Sequence, residues 1–530
     1  MGDQNNSQSI SAKNIPVSLF RQIHHMPLVW CGTGEFSSKW VGEELESEGW
    51  NEVQEPLRVL AKGHSSSDDE AFNEIVYFHD FARDFLYPTG ASRSFRMFEK
   101  QGLGAITVTI SDLDKHELQV ERITIHLFRT RIAILTVETL HKGGEAPLTL
   151  AKVQTLIDYF RRSYTPFWDK KGQPSKVPVS INISGHEFPN SQCQPSMIKF
   201  LEGEGNTLTD APLLEPWKSW IYPLNHKDWR DPSDERVPVM SLILLEKTER
   251  TNRDTLNRIS DQDWYRLAEA DESGSKIAYN PKFLSKMDEQ VFYDRFLPDE
   301  RMEPDLATRQ IFGGAHYSVV SVDEEEFSRP ILQTHFRRHY EKMALVARFE
   351  FATLLAFSSR LTRLVKDLEI SASSATARSI FGQGVLEVHR DFLEFTHRYR
   401  FTGISCQIQG SEMFERWRAS LNLDQMYKDV KDEITSASEY AQAVQADQKT
   451  DRGNWLATAA IFVGTALAAP GLAEFSLIKN LVSWLTGCAA SYGYPGAAPW
   501  IEFVTPFAAL GATAAASAMV WFVFKWKRHD

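Results

Sequence analysis

The chain has 530 residues, 24% of them charged, and a formal net charge of −12. That length allows roughly two to four domains, and the acidic balance argues against a nucleic-acid binder, which carries a basic patch or domain. The four cysteines, Cys31, Cys193, Cys406 and Cys488, are scattered without a CxxC pair. They therefore form neither a zinc pattern nor a disulfide framework, and they fit a reducing compartment.

The first segment, "MGDQNNSQSISAKN", is polar and lacks an apolar h-region, so no signal peptide is expected. Residue 6 is Asn, where the myristoylation pattern wants Ser or Thr. Residues 1–100 read as an irregular, mostly polar region with Trp30, Trp40 and Trp50 interspersed, and no function is assigned to it. Residues 101–328 read as an α/β body with insertions. In it "GAITVTI" (104–110) alternates as a strand does, and "RITIHLFRTRIAILTVETL" (122–140) reads as two strands joined by the basic turn "FRTR". "LTLAKVQTLIDYFRRSY" (148–164) has helical spacing. "VPVMSLILLEKT" (237–248) and "AHYSVVSV" (315–322) are further strands, with long insertions at 170–235 and 250–310.

Residues 329–453 read as a long-helix bundle and stalk. The stretch 329–368 runs almost without a breaker, and Pro330 stands at its start, where proline is tolerated. Further on, Leu421, Met426, Val430 and Ile434 recur near helical spacing, so one face of that helix packs.

Two apolar runs close the chain. They are read as transmembrane helix 1 (454–475) and transmembrane helix 2 (501–524), joined by an extracytoplasmic connection (476–500) and followed by a basic cytoplasmic tail (525–530). Each run has about 20 residues, enough for about 30 Å of helix. Trp455, Trp500, Trp521 and Trp526 sit at their edges, where aromatic belts belong. Lys449 and Arg452 on one side, and Lys525, Lys527 and Arg528 on the other, put both termini in the cytoplasm of a cell (inner or plasma) membrane by the positive-inside rule. A buried helical hairpin is the rival reading. The small-residue stretch "AALGATAAASA" (508–518) predicts close helix packing, and hence an oligomer.

This order of elements resembles the CorA-like family of divalent cation transporters. The residues that carry the resemblance are "TAAIFVGTALAAPGLAEF", "PWIEFVTPFAALGATAAASAMVWFVFKWKRHD" and the hairpin "ITIHLFRTRIAILTVET". The resemblance implies an α+β cytoplasmic domain, long stalk helices and two C-terminal transmembrane helices. It also implies a homopentamer, with Mg²⁺ or another divalent cation as the transported or regulatory ion. The chain departs from the family in lacking Gly-Met-Asn; Ala473, Glu474 and Phe475 fall at that pore mouth. A ring of five Glu474 side chains is the candidate metal site, since acidic rings attract cations; otherwise Glu474 merely marks the aqueous end of the helix. The pore face implied at helical spacing is Leu456, Ala459, Val463, Ala466 and Pro470, residues that also suit helix-to-helix packing.

Other motifs are short. His79-Asp80 in "YFHDFARDF" is similar to the metal-dependent HD phosphohydrolases, with His24 and His25 upstream; a solvated helix face is the plainer reading. "IFGGAH" (311–316) and "QGLGA" (101–105) are Gly turns without the context of a phosphate loop, and "SGH" (184–186) lacks a nucleophile elbow. The acid runs "SSSDDE" (65–70) and "VDEEEF" (322–327) are candidate Mg²⁺ sites or simply solvated.

The expectation is a passive divalent-cation channel gated by its cytoplasmic domain, not an enzyme and without a cofactor. Its partners would be other copies of itself, membrane lipid and a small cytoplasmic ligand, and no nucleic acid. One alternative is a ligand-gated membrane effector, its pore opened by a small-molecule or nucleotide signal. The other is a membrane-anchored scaffold or enzyme.

Overall fold

The computed structural model describes residues 15–447, apart from 33–35, 55–74, 90–92, 103, 112–113, 144–146, 171–173, 191–212, 225–227, 233–234, 275–278, 298–304 and 371–374. The chain begins with β1 (Val17–Trp30), α1 (Ser38–Ser47), β2 (Trp50–Val53), α2 (Asp80–Leu86), β3 (Phe95–Lys100), β4 (Ala105–Ser111), β5 (Asp114–Phe128), β6 (Ile132–Gly143) and α3 (Leu150–Phe160). It continues through β7 (Phe167–Trp168), β8 (Pro174–Ser175), β9 (Ser180–Ile183), β10 (His186–Pro189), α4 (Glu215–Ile221), β11 (Trp229–Arg230) and β12 (Val239–Leu245). Next come α5 (Asn252–Leu256), α6 (Asp261–Glu269), α7 (Pro281–Val291), β13 (Phe292–Phe296), β14 (Thr308–Phe312) and β15 (His316–Val322). A helical lead-in over 328–340, wound partly as π-helix, precedes α8 (Glu341–Ile370), α9 (Ala375–Arg398), α10 (Ile408–Ser420) and α11 (Leu423–Asp447).

Among the described residues, thirteen strands form one mixed sheet whose main path runs β10-β9-β4-β5-β6-β1-β12-β15-β14-β13. Every pairing in that sheet is antiparallel except β12 beside β15. The spine is the β5–β6 hairpin, with Leu127 opposite Ala133, and β1 lies against β6 with Pro27 opposite Ile134. Pro27 is tolerated here because β1 pairs with β12 only as far as His24 and with β11 from Val29, so its missing N–H falls between the two partners.

Both faces of the spine are covered. Phe20, Met26 and Leu28 of β1 join Ile125, Leu135, Leu156 and Phe160 in one core. On the alternate residues, Phe128 packs on Phe349 of α8 with ring centroids 4.3 Å apart, and Tyr317 packs on Trp417 of α10 at 4.8 Å. Period-2 side chains reach opposite faces, so one strand serves two cores.

The chain divides into two compact units. Among the described residues the first comprises 15–359 and 391–427, the second 360–390 and 428–447. Within the second, Leu368, Phe381, Val385, Tyr440 and Ala441 form an apolar cluster, and Phe381 meets Tyr440 edge to face at 5.7 Å.

The expected fold class, with two C-terminal membrane helices, is corrected to a large mixed sheet with helices. No helix among the described residues is long and apolar enough to cross a membrane. The longest, α8, is interrupted by Lys342, Arg348, Glu350, Arg360, Arg363 and Lys366, and its apolar residues pack in protein. The runs 454–475 and 501–524, their connection and the basic tail lie outside the described residues. The transmembrane, channel and multi-pass membrane assignments, with both termini in the cytoplasm, are therefore not supported and are withdrawn.

Candidate functional site

An arginine-lined cleft lies where α1, β2 and β3 meet the end of β5. Its volume is about 260 Å³, and Ser38, Lys39, Glu52, Arg93, Phe95, Arg96, Leu127 and Arg129 line it. Local rules place each part. Ser37 caps α1, its Oγ accepting from the Trp40 N–H at 3.4 Å, which sets Ser38 and Lys39 in the first turn. β3 pairs with β2, Glu52 opposite Phe98, and with β5, Arg96 opposite Leu127. Arg129 follows β5 directly, in the basic turn of the hairpin.

Glu52 organises the arginines. Arg96 donates from Nε and Nη2 to its two carboxylate oxygens, each at 2.9 Å, the planar fork that suits a guanidinium. Arg96 Nη1 also donates to the carbonyls of Ser38, at 2.9 Å, and Lys39, at 3.3 Å, tying α1 to the sheet. Arg93 donates to Glu52 Oε1 at 3.2 Å and to Gln54 Oε1 at 2.8 Å. The hydrogen bonds from Arg96 hold the Glu52 carboxyl below its usual range, and those to Glu52 raise the Arg96 guanidinium. The lining thus sets four cations against one carboxylate. Glu43 and Glu46 approach from outside, 3.8 Å from Lys39 and Arg96. The first turn of α1 carries no acidic residue, so its N–H dipoles add to the positive potential. The arrangement suits an anion that accepts several hydrogen bonds.

The sequence-derived candidates fall elsewhere. Leu456, Ala459, Val463, Ala466, Pro470, Ala473, Glu474 and Phe475 lie outside the described residues, as does the acid run 65–70. His79 flanks the start of α2, with its ring beside Cys406, and Asp80 accepts from the Phe81 N–H at 2.8 Å. His24 and His25 are buried in β1 and are not brought to His79: His24 contacts Phe160 and Trp217, and His25 Nε2 lies 3.5 Å from Glu341. No group of three or more His, Cys, Asp or Glu that could hold a metal occurs among the described residues.

The "SGH" stretch is the β9–β10 turn, where Ser184 (φ 52°) and Gly185 (φ 89°) take the positive-φ geometry of a tight hairpin. The run 322–327 is structural where it is described. Asp323 pairs with Arg329 at 2.7 Å, and Glu324 accepts from Asn252 at 2.6 Å. A buried Ser241–His316 pair, 2.8 Å apart, resembles a nucleophile and base. Both side chains are inaccessible, however, and His316 Nδ1 is committed to the Leu267 carbonyl.

The cleft was not legible in the sequence because its cations come from three separate stretches. The basic turn "FRTR", which holds Arg129, was its one visible mark. No family model matches the chain, and neither a curated protein nor a solved structure matches it.

Proposed function

We propose that the chain is a ligand-binding protein, not an enzyme, whose cleft takes the phosphate or a comparable oxyanion group of a small molecule. The observation that supports this reading is the convergence of Lys39, Arg93, Arg96 and Arg129 on one cleft beside the first turn of α1. A volume of about 260 Å³ lies just below the range of about 300–1,000 Å³ usual for whole small molecules. The cleft therefore grips a head group, and the rest of the ligand extends into solvent. This keeps the small-molecule part of the sequence expectation and leaves the pore aside.

The test is calorimetric titration of the purified chain with inorganic phosphate and then with small phosphate esters. Binding that weakens as salt rises, and weakens about tenfold or more in an Arg93→Gln/Arg129→Gln double variant with an unchanged melting temperature, supports the reading; a charge-assisted hydrogen bond is worth about 1.5–3 kcal/mol. A folded protein that binds none of these anions overturns it.

A further inference from the structure

We propose that Cys406 and His79 form a reactive thiol–imidazole pair, a modification site for a low-molecular-weight disulfide. The site is independent of the arginine-lined cleft. Cys406 is exposed, and its Sγ lies over the face of the His79 ring, 3.3 Å from Nδ1 and 3.9 Å from Nε2, although the two residues are 327 positions apart in the chain.

The backbone fixes both partners. The His79 N–H donates to the Ile404 carbonyl at 2.9 Å. Ser405 Oγ donates to the Tyr77 carbonyl at 2.6 Å and accepts from the Gln407 N–H at 3.2 Å. The imidazole stacks on Phe81, with centroids 5.1 Å apart, and Phe81 stacks on Phe401 at 5.7 Å. The thiol and the imidazole are thus held close before a reagent arrives, and a rotation of the ring about its Cβ–Cγ bond turns the Nδ1 lone pair to the thiol.

The surroundings select the reagent. Val76, Phe81 and Ile408, close along the chain on either side of the pair, are 49%, 48% and 66% exposed. An accessible thiol with a base at its sulfur and apolar flanks suits a small, uncharged disulfide. The thiolate is the attacking species in such exchange. In the step, Sγ attacks one sulfur of the disulfide and the S–S bond breaks. The departing sulfur leaves with the bonding electron pair, as a thiolate. The Sγ proton passes to His79 Nδ1, in the tautomer with Nε2 protonated, and then to the departing thiolate. Cys406 ends oxidised in a mixed disulfide, and half of the reagent ends reduced as a thiol.

The experiment uses the full chain and dithiodipyridine at pH 7. Release of thiopyridone gives the rate, Cys406→Ser gives the background, and peptide mass spectrometry places the adduct. Cys406 is expected to react at least about tenfold faster than the same cysteine in an unstructured peptide spanning 402–411, and His79→Asn to remove most of that advantage. Added imidazole is expected to restore part of the rate in His79→Ala, which a purely structural role would not allow. A Cys406 that reacts no faster than the peptide overturns the proposal without any variant. So does a folded His79→Asn protein that reacts at the parental rate.

Discussion

The Glu138 carboxylate lies 2.5 Å from Arg21 Nη1 on the adjacent strand, and both side chains are buried. Arg337 from the lead-in to α8 reaches the same oxygen, also at 2.5 Å, and Arg122 Nε lies 3.3 Å from the other. Burial pushes the Glu138 carboxyl up, but Arg122, Arg337 and Arg21 together outweigh it and hold the carboxyl at about 2. Burial, with the neighbouring Arg337 charge, pulls Arg21 below its ordinary value despite Glu138 and Glu121. The cluster thus costs its arginines desolvation, with Glu138 as their nearest carboxylate and Glu121 and Glu341 further off, 3.8 Å from Arg21 and Arg337 and 3.9 Å from Arg122. Glu138→Gln removes the nearest counter-charge of Arg21, Arg122 and Arg337 and is expected to destabilise the fold by about 3–5 kcal/mol, read as a shifted urea midpoint. The ionic contribution of Glu138 is complete above pH 4.5 and is lost as pH falls towards about 2.

A second acid sensitivity begins at higher pH. Burial holds the imidazoles of His24, His126 and His316 at about 3. Unfolding releases them to their ordinary value near 6.5, so the unfolded chain binds more protons below that pH. Stability from these groups is therefore complete above about pH 6.5 and falls as pH drops towards about 3. Each contributes a slope of about 1.4 kcal/mol per pH unit once its unfolded form is protonated, so the three together give about 4. Urea midpoints measured between pH 7.5 and 4.5 are expected to collapse over that interval. His24→Leu, which removes one of the depressed imidazoles, is expected to reduce the slope by about 1.4 kcal/mol per pH unit; an unchanged slope would exclude the mechanism for His24.

Gly42 is where helix α1 passes over Arg96. A Cβ there would sit 1.9 Å from Arg96 Nη1. Replacing helical Gly by Ala ordinarily gains about 1 kcal/mol. Here the guanidinium is held by Glu52, Ser38 and Lys39 and has no easy retreat. Gly42→Ala is expected to destabilise the chain by about 1–2 kcal/mol net, the overpacking cost exceeding the helical gain. It is also expected to weaken phosphate binding by displacing Arg96. Thermal unfolding and calorimetry read the two effects separately.

Much of the sheet's spine was visible without coordinates. Alternation in 104–110 and the two runs around "FRTR" mark β4, β5 and β6, because a hairpin leaves its period-2 pattern and its turn in the sequence. The strand β1 was not visible. It is buried on both faces, so it lacks alternation, and its interior holds Arg21, His24, His25 and Pro27, which read as polar loop. Leu421, Met426, Val430 and Ile434 read as the face of one helix, yet Asn422 at φ 52° separates α10 from α11, a left-handed kink that a short polar residue takes without a periodicity signal.

By itself the sequence determined the acidic balance, the strand pattern of the hairpin and the long amphipathic helices, all properties of neighbouring residues along the chain. The tertiary structure alone decided that Glu52, Arg93, Arg96 and Arg129 share one cleft and that Cys406 faces His79. Those pairings span tens to hundreds of residues, and they are set by strand register and helix docking, which leave no local periodicity to read.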